Sequence, residues 1–219
     1  YISMTMTPMV LTARLMKRRD PNCRVAFIGP CAAKKLEASR RSVRSDVDFV
    51  LTFEELRGMF EAKNIDFSQI PDAPSHFEAS APGVGFAASG GVAKAVEDVI
   101  HRERPNMEVK TVYAEGLREC RQMLRVARTG KYDGYLLEGM ACPGGCAGGG
   151  GQPIHDGVEL AEKRGSVLWS IDKAAPCRFS HENPDVRELY RDYLKKPLSD
   201  VSHHLLHTDH QAWKMPGQK

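Results

Sequence analysis

The sequence predicts an α/β protein in which helices flank a mostly parallel sheet, with a helical segment towards the C-terminal end. Three observations carry this expectation. Short β-rich runs alternate with stretches whose apolar residues recur at helical spacing. Two of the β-rich runs lead directly into cysteine segments that contain glycine. The 219 residues are 42% hydrophobic and 27% charged, an ordinary globular balance with enough apolar material for a sizeable core.

Residues 9–19 read as a helix. Val10, Leu11, Ala13, Leu15 and Met16 make its apolar face, and Pro8 suits a first turn. Residues 24–28 (R-V-A-F-I) form a buried strand candidate that breaks at Gly29-Pro30-Cys31, and 34–41 could begin another helix. Residues 47–51 are a second strand candidate. Thr52 follows as an N-cap, with Glu55 completing a capping box, and the helix is expected to reach about Lys63. The stretch 66–85 is rich in Pro, Ser and Gly and reads for the most part as a long surface loop.

Ser89-Gly90-Gly91 opens a helix with Val92, Ala95, Val96, Val99 and Ile100 at helical spacing. Residues 109–113 are a third strand, 116–127 a helix and 132–137 a fourth strand. Residues 160–173 show no clear period. Residues 184–194 read as helical, capped by Asn183.

The net charge of +3 is evenly spread. The basic clusters Lys17-Arg18-Arg19 and Arg40-Arg41 lack interleaved aromatics and read as solvated surface, which argues against a nucleic-acid partner. No apolar run approaches the roughly 20 residues of a membrane span. The opening residues are not a signal peptide, and without an initiator Met they are expected to lie within a longer natural chain. The six cysteines are too sparse for a disulfide scaffold, so a reducing, cytoplasmic setting is expected.

Two segments carry the chemistry. One is Phe27-Ile28-Gly29-Pro30-Cys31-Ala32-Ala33-Lys34-Lys35-Leu36-Glu37; the other runs from Glu138 through Met140, Cys142, Pro143-Gly144-Gly145 and Cys146 to Gly148–Gly151, Gln152 and Pro153. Two thiolates four positions apart can meet one metal centre if the backbone curls, and Pro-Gly-Gly permits the curl. Glycines also let backbone amides approach cluster sulfurs, which tunes a reduction potential. Both segments follow strands, where open α/β sheets place their sites, so Cys31, Cys142 and Cys146 can converge.

Cys23, Cys120 and Cys177 read as small buried hydrophobes. A zinc site would need Cys31 with a histidine, drawn from His203-His204 or His207-Thr208-Asp209-His210, a stretch that reads more simply as a polar tail. The glycines are not a phosphate loop, because no G-K-[ST] follows them. Lys34 and Lys35 have a plain surface reading, yet an ammonium close to Cys31 would stabilise an anionic cluster in a dry site.

Together the two segments resemble the second and third signature motifs of iron-only hydrogenases. The M-A-C-P-G-G-C run with its glycines and Gln-Pro is very specific, and P-C-x-A-K-K-x-E is specific. Softer similarity covers most of the chain, including Ala88-Ser89-Gly90-Gly91-Val92 and the tail from Ser180 to Thr208. The resemblance implies a large-subunit lobe over residues 1–178 and a small-subunit-like helical tail over 179–219. It implies reversible reduction of protons to dihydrogen at a 4Fe-4S cubane linked to a diiron unit. Cys31 and Cys142 would ligate the cubane, Cys146 would bridge to the diiron unit, and Lys34 would contact a cyanide there. Met140 would pack beside that unit, and Glu37 would support Lys34.

Two departures qualify the match. The family's T-S-C-C-P motif, source of the fourth cubane ligand and a proton-donating cysteine, does not occur in this sequence. An upstream lobe of the same protein is therefore expected to supply it, with electrons coming from a ferredoxin-like donor, and the isolated chain is expected to be inactive. Gly29 stands where active members commonly carry methionine, which is expected to open space and is similar to members associated with hydrogen sensing. A non-catalytic iron–sulfur or hydrogen-sensing protein is the alternative reading.

Overall fold

The computed structural model describes residues 1–40, 43, 46–72, 79–154 and 159–209. In chain order the elements are α1 (Pro8–Arg19), β1 (Ala26–Gly29), α2 (Ala33–Ala38), β2 (Phe49–Thr52), α3 (Phe53–Ala62), α4 (Ala81–Gly85), α5 (Gly91–Glu103), β3 (Lys110–Glu115), α6 (Leu117–Ala127), β4 (Tyr135–Met140), α7 (Ala161–Ala174), α8 (Pro184–Leu189) and α9 (Asp200–Leu206). Short 3-10 turns lie at Phe67–Gln69, Gly145–Gly148 and Ser180–Glu182, and a π turn at Tyr190–Leu194 continues α8. The α/β expectation and the parallel pairing hold, but the strands form two separate pairs, β1 with β2 and β3 with β4.

The chain divides into two compact units. The first comprises Tyr1–Asp66 and the residues from Arg187 onward. Here β1 and β2 run parallel, in register from Ala26 opposite Phe49 to Gly29 opposite Thr52. Met6, Met9, Val10, Ala13, Val25, Val43 and Val47 form the core, with Cys23, Phe27, Ala38 and Val50 packed against it. The C-terminal stretch belongs to this unit through backbone pairing. Met6 N–H donates to Leu206 O at 2.7 Å, Thr208 N–H to Met4 O at 2.9 Å, and Thr5 bridges His207 in antiparallel fashion.

Thr52 caps α3 as its sequence predicts. Its hydroxyl accepts from Glu55 N–H at 3.2 Å, and the Glu55 carboxylate accepts from Thr52 N–H at 2.8 Å. Asn183 likewise accepts from Asp185 N–H at 2.9 Å at the start of α8.

Asp48 ties α1 to the strands. Lys17 of the Lys17-Arg18-Arg19 cluster pairs with it at 2.8 Å, Val25 N–H donates to it at 2.8 Å, and Arg24 reaches it at 3.0 Å. These partners, Lys17 foremost, hold its carboxyl well below the usual carboxylate range. A depressed folded pKa contributes stability that is complete above the unfolded value and is lost as pH falls towards the folded one. Asp48→Asn should therefore flatten the acid side of the stability curve, below about pH 4. Urea titrations across that range check it, and an unchanged acid limb would count against the ion-pair account.

The second unit is Phe67–Val186. β3 and β4 run parallel from Lys110 opposite Tyr135 to Glu115 opposite Met140, and α6 connects them. Two expectations need correction. The 66–85 stretch is not all surface loop, because α4 closes it and buries Ala81, Pro82 and Gly85. Residues 160–173, without visible period, form α7, which packs on α4. A Cβ added to Gly85 would lie 3.5 Å from the Trp169 ring, so the two backbones come close there. Asp172 of α7 is buried and receives hydrogen bonds from Arg178 at its backbone oxygen and, at 3.5 Å, an ion pair at its carboxylate. α7 is fixed by polar anchors and one aromatic, which leave no apolar stripe to read. Arg41 and His210, singled out in the sequence, lie outside the described residues.

Candidate metal centre

The glycine-rich cysteine segment lies in the second unit, immediately beyond β4. The strand runs to Met140, past the expected end at 137, and so includes Glu138. The Met140 carbonyl accepts from Gly116 N–H at 2.8 Å and from the Cys120 thiol at 3.3 Å. That thiol also reaches Ala114 O at 3.4 Å, so Cys120 bridges the ends of both strands.

From Cys142 the chain closes on itself. Gly144 and Gly145 both adopt positive φ (75° and 71°), the left-handed conformation that glycine takes at least cost. Gly145 N–H then donates to Cys142 O at 3.0 Å, a 3-10 turn carries Cys146, and Gly149 N–H donates back to Cys146 O at 3.0 Å. The Gln152 side-chain amide also donates to Cys146 O, at 3.3 Å. A Cβ on Gly148 would stand 2.0 Å from Pro143 O, so the two arms of the loop touch. Cys142 and Cys146 are half-buried on this one loop.

The loop is fastened from three sides. Glu115 at the end of β3 accepts from Gly144 N–H at 2.9 Å. Arg164 of α7 reaches Ala147 O at 3.5 Å and also binds Pro153 O. Ala147 N–H donates to Ala87 O at 3.1 Å, in the turn before α5. That turn is held by Glu138, 8% exposed, whose carboxylate accepts from Gly90 N–H at 2.9 Å and Ala93 N–H at 2.6 Å. A buried carboxylate at a helix start satisfies orphan amides and meets the positive end of the helix dipole. Glu115 was not singled out from the sequence, and Glu138 was named there only as the first residue of the cysteine segment, with no role. The available signal for Glu138 was a charged residue directly after the apolar run of the strand.

Cys31 and Lys34 are placed in the first unit. β1 ends at Gly29, Cys31 is half-buried, and α2 begins with Lys34 N–H donating to Cys31 O at 3.2 Å. The Lys34 ammonium pairs with Glu37 at 2.5 Å, and Thr7 Oγ1 donates to the other Glu37 oxygen at 2.5 Å. Gly29 does not leave open space. Atoms of the Phe27 ring lie 2.7 and 2.8 Å from where a Cβ at position 29 would sit, so the phenyl group occupies that volume.

None of the six cysteines is joined to another by a disulfide. Cys23 packs on the first unit's core, and the Cys177 thiol donates to Phe179 O at 3.2 Å. Within either unit, no group of three or more His, Cys, Asp or Glu among the described residues is placed to hold a metal ion. Two thiols on a loop of closely approaching backbone, with the buried Ser89 hydroxyl lacking a hydrogen-bond partner, suit a sulfur-rich anionic cluster.

Comparison with known proteins finds similar chains. The family described as iron only hydrogenase large subunit, C-terminal domain, matches residues 1–150, and iron hydrogenase small subunit matches 158–213. The NADP-reducing hydrogenase subunit HndD of Solidesulfovibrio fructosivorans is 37% identical over 84% of this chain and 37% of its own length. Cytosolic iron-sulfur assembly component 3 of Rattus norvegicus is 28% identical over 84% of this chain and 46% of its own. The chain thus spans less than half the length of these two relatives. A solved [FeFe]-hydrogenase structure, described in terms of oxygen inactivation of its cluster, superimposes with a TM-score of 0.73. It is 25% identical and covers 95% of this chain and 68% of that one.

Proposed function

Since the chain belongs to the iron-only hydrogenase family, we propose that it supplies three of the four cysteines of a hydrogenase active-site cluster. The observation that carries this is the Cys142–Cys146 loop, closed by two left-handed glycines and fastened to β3, α7 and the turn before α5. In this reading Cys31 and Cys142 hold a 4Fe-4S cubane and Cys146 bridges it to a diiron unit. Once bound, the cluster supplies the redox chemistry of reversible proton reduction to dihydrogen.

The chain's own residues set the surroundings. Lys34, oriented by its pairing with Glu37, offers an ammonium to an anionic ligand of the diiron unit. Met140 lines the site just before Cys142. The backbone amides of the loop and the buried Ser89 hydroxyl offer polarity without bulk. The fourth thiolate is assigned to an upstream lobe of the same protein and the electrons to a ferredoxin-like donor, so the chain alone is proposed to lack hydrogenase activity. The proposed lobe–tail boundary at 178/179 falls within the small-subunit match, after α7. A cytoplasmic setting is part of this proposal, supported by the relative named as a cytosolic assembly component, and among the described residues no helix is long and apolar enough to cross a membrane. A second reading, non-catalytic cluster binding or hydrogen sensing, draws on Gly29 beneath the Phe27 ring and on the relative named as an assembly component.

Anaerobic reconstitution with iron and sulfide tests the cluster half-site. The wild-type chain and Cys23→Ala are expected to bind iron and give a cubane resonance on reduction, and Cys142→Ala to lose it. Iron retained in Cys142→Ala would overturn the reading, whereas uptake by none of the three, with the fold intact, would show that the upstream lobe is required for assembly.

A further inference from the structure

Ser89 lies in the turn before α5, and its hydroxyl oxygen is buried with no hydrogen-bond partner. Native proteins rarely leave a buried hydroxyl unpaired, and such an orphan points to a group that is not protein. Its position is tied to the cysteine loop on both sides of Cys146. The Ser89 nitrogen lies 2.8 Å from where a Cβ on Gly145 would sit, and Ala147 N–H donates to Ala87 O at 3.1 Å. The turn is clamped from β4, where both oxygens of Glu138 are committed to Gly90 and Ala93 N–H.

We propose that the Ser89 hydroxyl donates a hydrogen bond to the sulfurs gathered at the Cys142–Cys146 loop, and that Glu138 is the positioning residue that holds it there. This rests on the cluster reading above and adds a residue outside both cysteine segments. Electron uptake increases the negative charge on the sulfurs, so a hydroxyl donor stabilises the reduced form and raises the potential. Glu138 acts at one remove. Gln in its place turns an amide N–H towards one of the two backbone donors, which loosens the turn.

The test is a potentiometric titration of the reduced-state resonance in chain reconstituted with iron and sulfide, with circular dichroism as the check on folding. Ser89→Ala is expected to bind as much iron as wild type, to melt no earlier because no protein partner is lost, and to show a lower midpoint potential. Ser89→Thr restores the wild-type potential by restoring the hydroxyl, and Glu138→Gln shifts it downward. A Ser89→Ala midpoint equal to wild type overturns this proposal and leaves the cluster reading intact. Where the chain alone takes up no cluster, the same titration is made on the full-length protein that includes the upstream lobe, and an unchanged Ser89→Ala midpoint there overturns the proposal.

Discussion

Gly148→Ala should cost the second unit about 3 kcal/mol, because the new methyl group meets backbone that cannot yield without opening the cysteine loop. The added Cβ would stand 2.0 Å from Pro143 O and 3.2 Å from Pro143 C, with the Ala161 Cβ at 3.0 Å. A flexible side chain could swing aside, but the Pro143 carbonyl is part of the curve that brings Cys142 and Cys146 together. The melting temperature is expected to fall by roughly 10 °C. Cluster uptake on reconstitution should fall with it. Gly150→Ala is the internal control. Nothing lies within 4 Å of its added Cβ, and the substitution should be neutral or slightly stabilising. Equal melting temperatures for the two variants would show that the loop is not closed as described.

The second large effect is expected far from the cysteines. Leu194→Ala should destabilise the first unit by about 3 kcal/mol through the lost methyl groups and the cavity they leave. Leu194 is 1% exposed and ends the π turn after α8. The chain beyond it adopts unfavourable conformations to bury it. Lys195 and Leu198 both take positive φ (69° and 61°), uncommon for residues with a Cβ. Ser199 then fastens the segment by donating from its hydroxyl to Leu194 O at 3.0 Å, and the Ser199 Oγ accepts from Ser202 N–H at 3.2 Å to cap α9. Leu198, 99% exposed, serves as the control, and its truncation to Ala should change stability by less than about 0.5 kcal/mol. A fall in urea midpoint for Leu194→Ala but not Leu198→Ala would show that the C-terminal stretch is part of the first unit's core. Equal midpoints would show it to be an appendage.

These two positions differ in how visible they were. Gly148 sits in a run whose composition announces unusual backbone. Leu194 falls at the end of a helical pattern and looks like any other apolar residue there. Its importance comes from the π turn and the two left-handed residues after it, which no local pattern specifies.

The sequence by itself determined the alternation of strands and helices, the capping box at Thr52 and Glu55, the Asn183 cap and both cysteine segments with their lysine and glycines. These are short-range features, set by residues within four positions of one another, and local backbone chemistry is enough to produce them. Only the tertiary structure decided the rest. It divided the parallel pairing into two pairs, one in each unit, and made α7 a helix through Arg164, Trp169 and Asp172 instead of an apolar face. It filled the space at Gly29 with the Phe27 ring, and it joined Glu138 to a turn 45 to 48 residues earlier in the chain. Apart from the Phe27–Gly29 contact, which joins residues two positions apart, these depend on groups distant in sequence meeting in the fold, where an unpaired amide or a colliding methyl group costs more than local propensity can return.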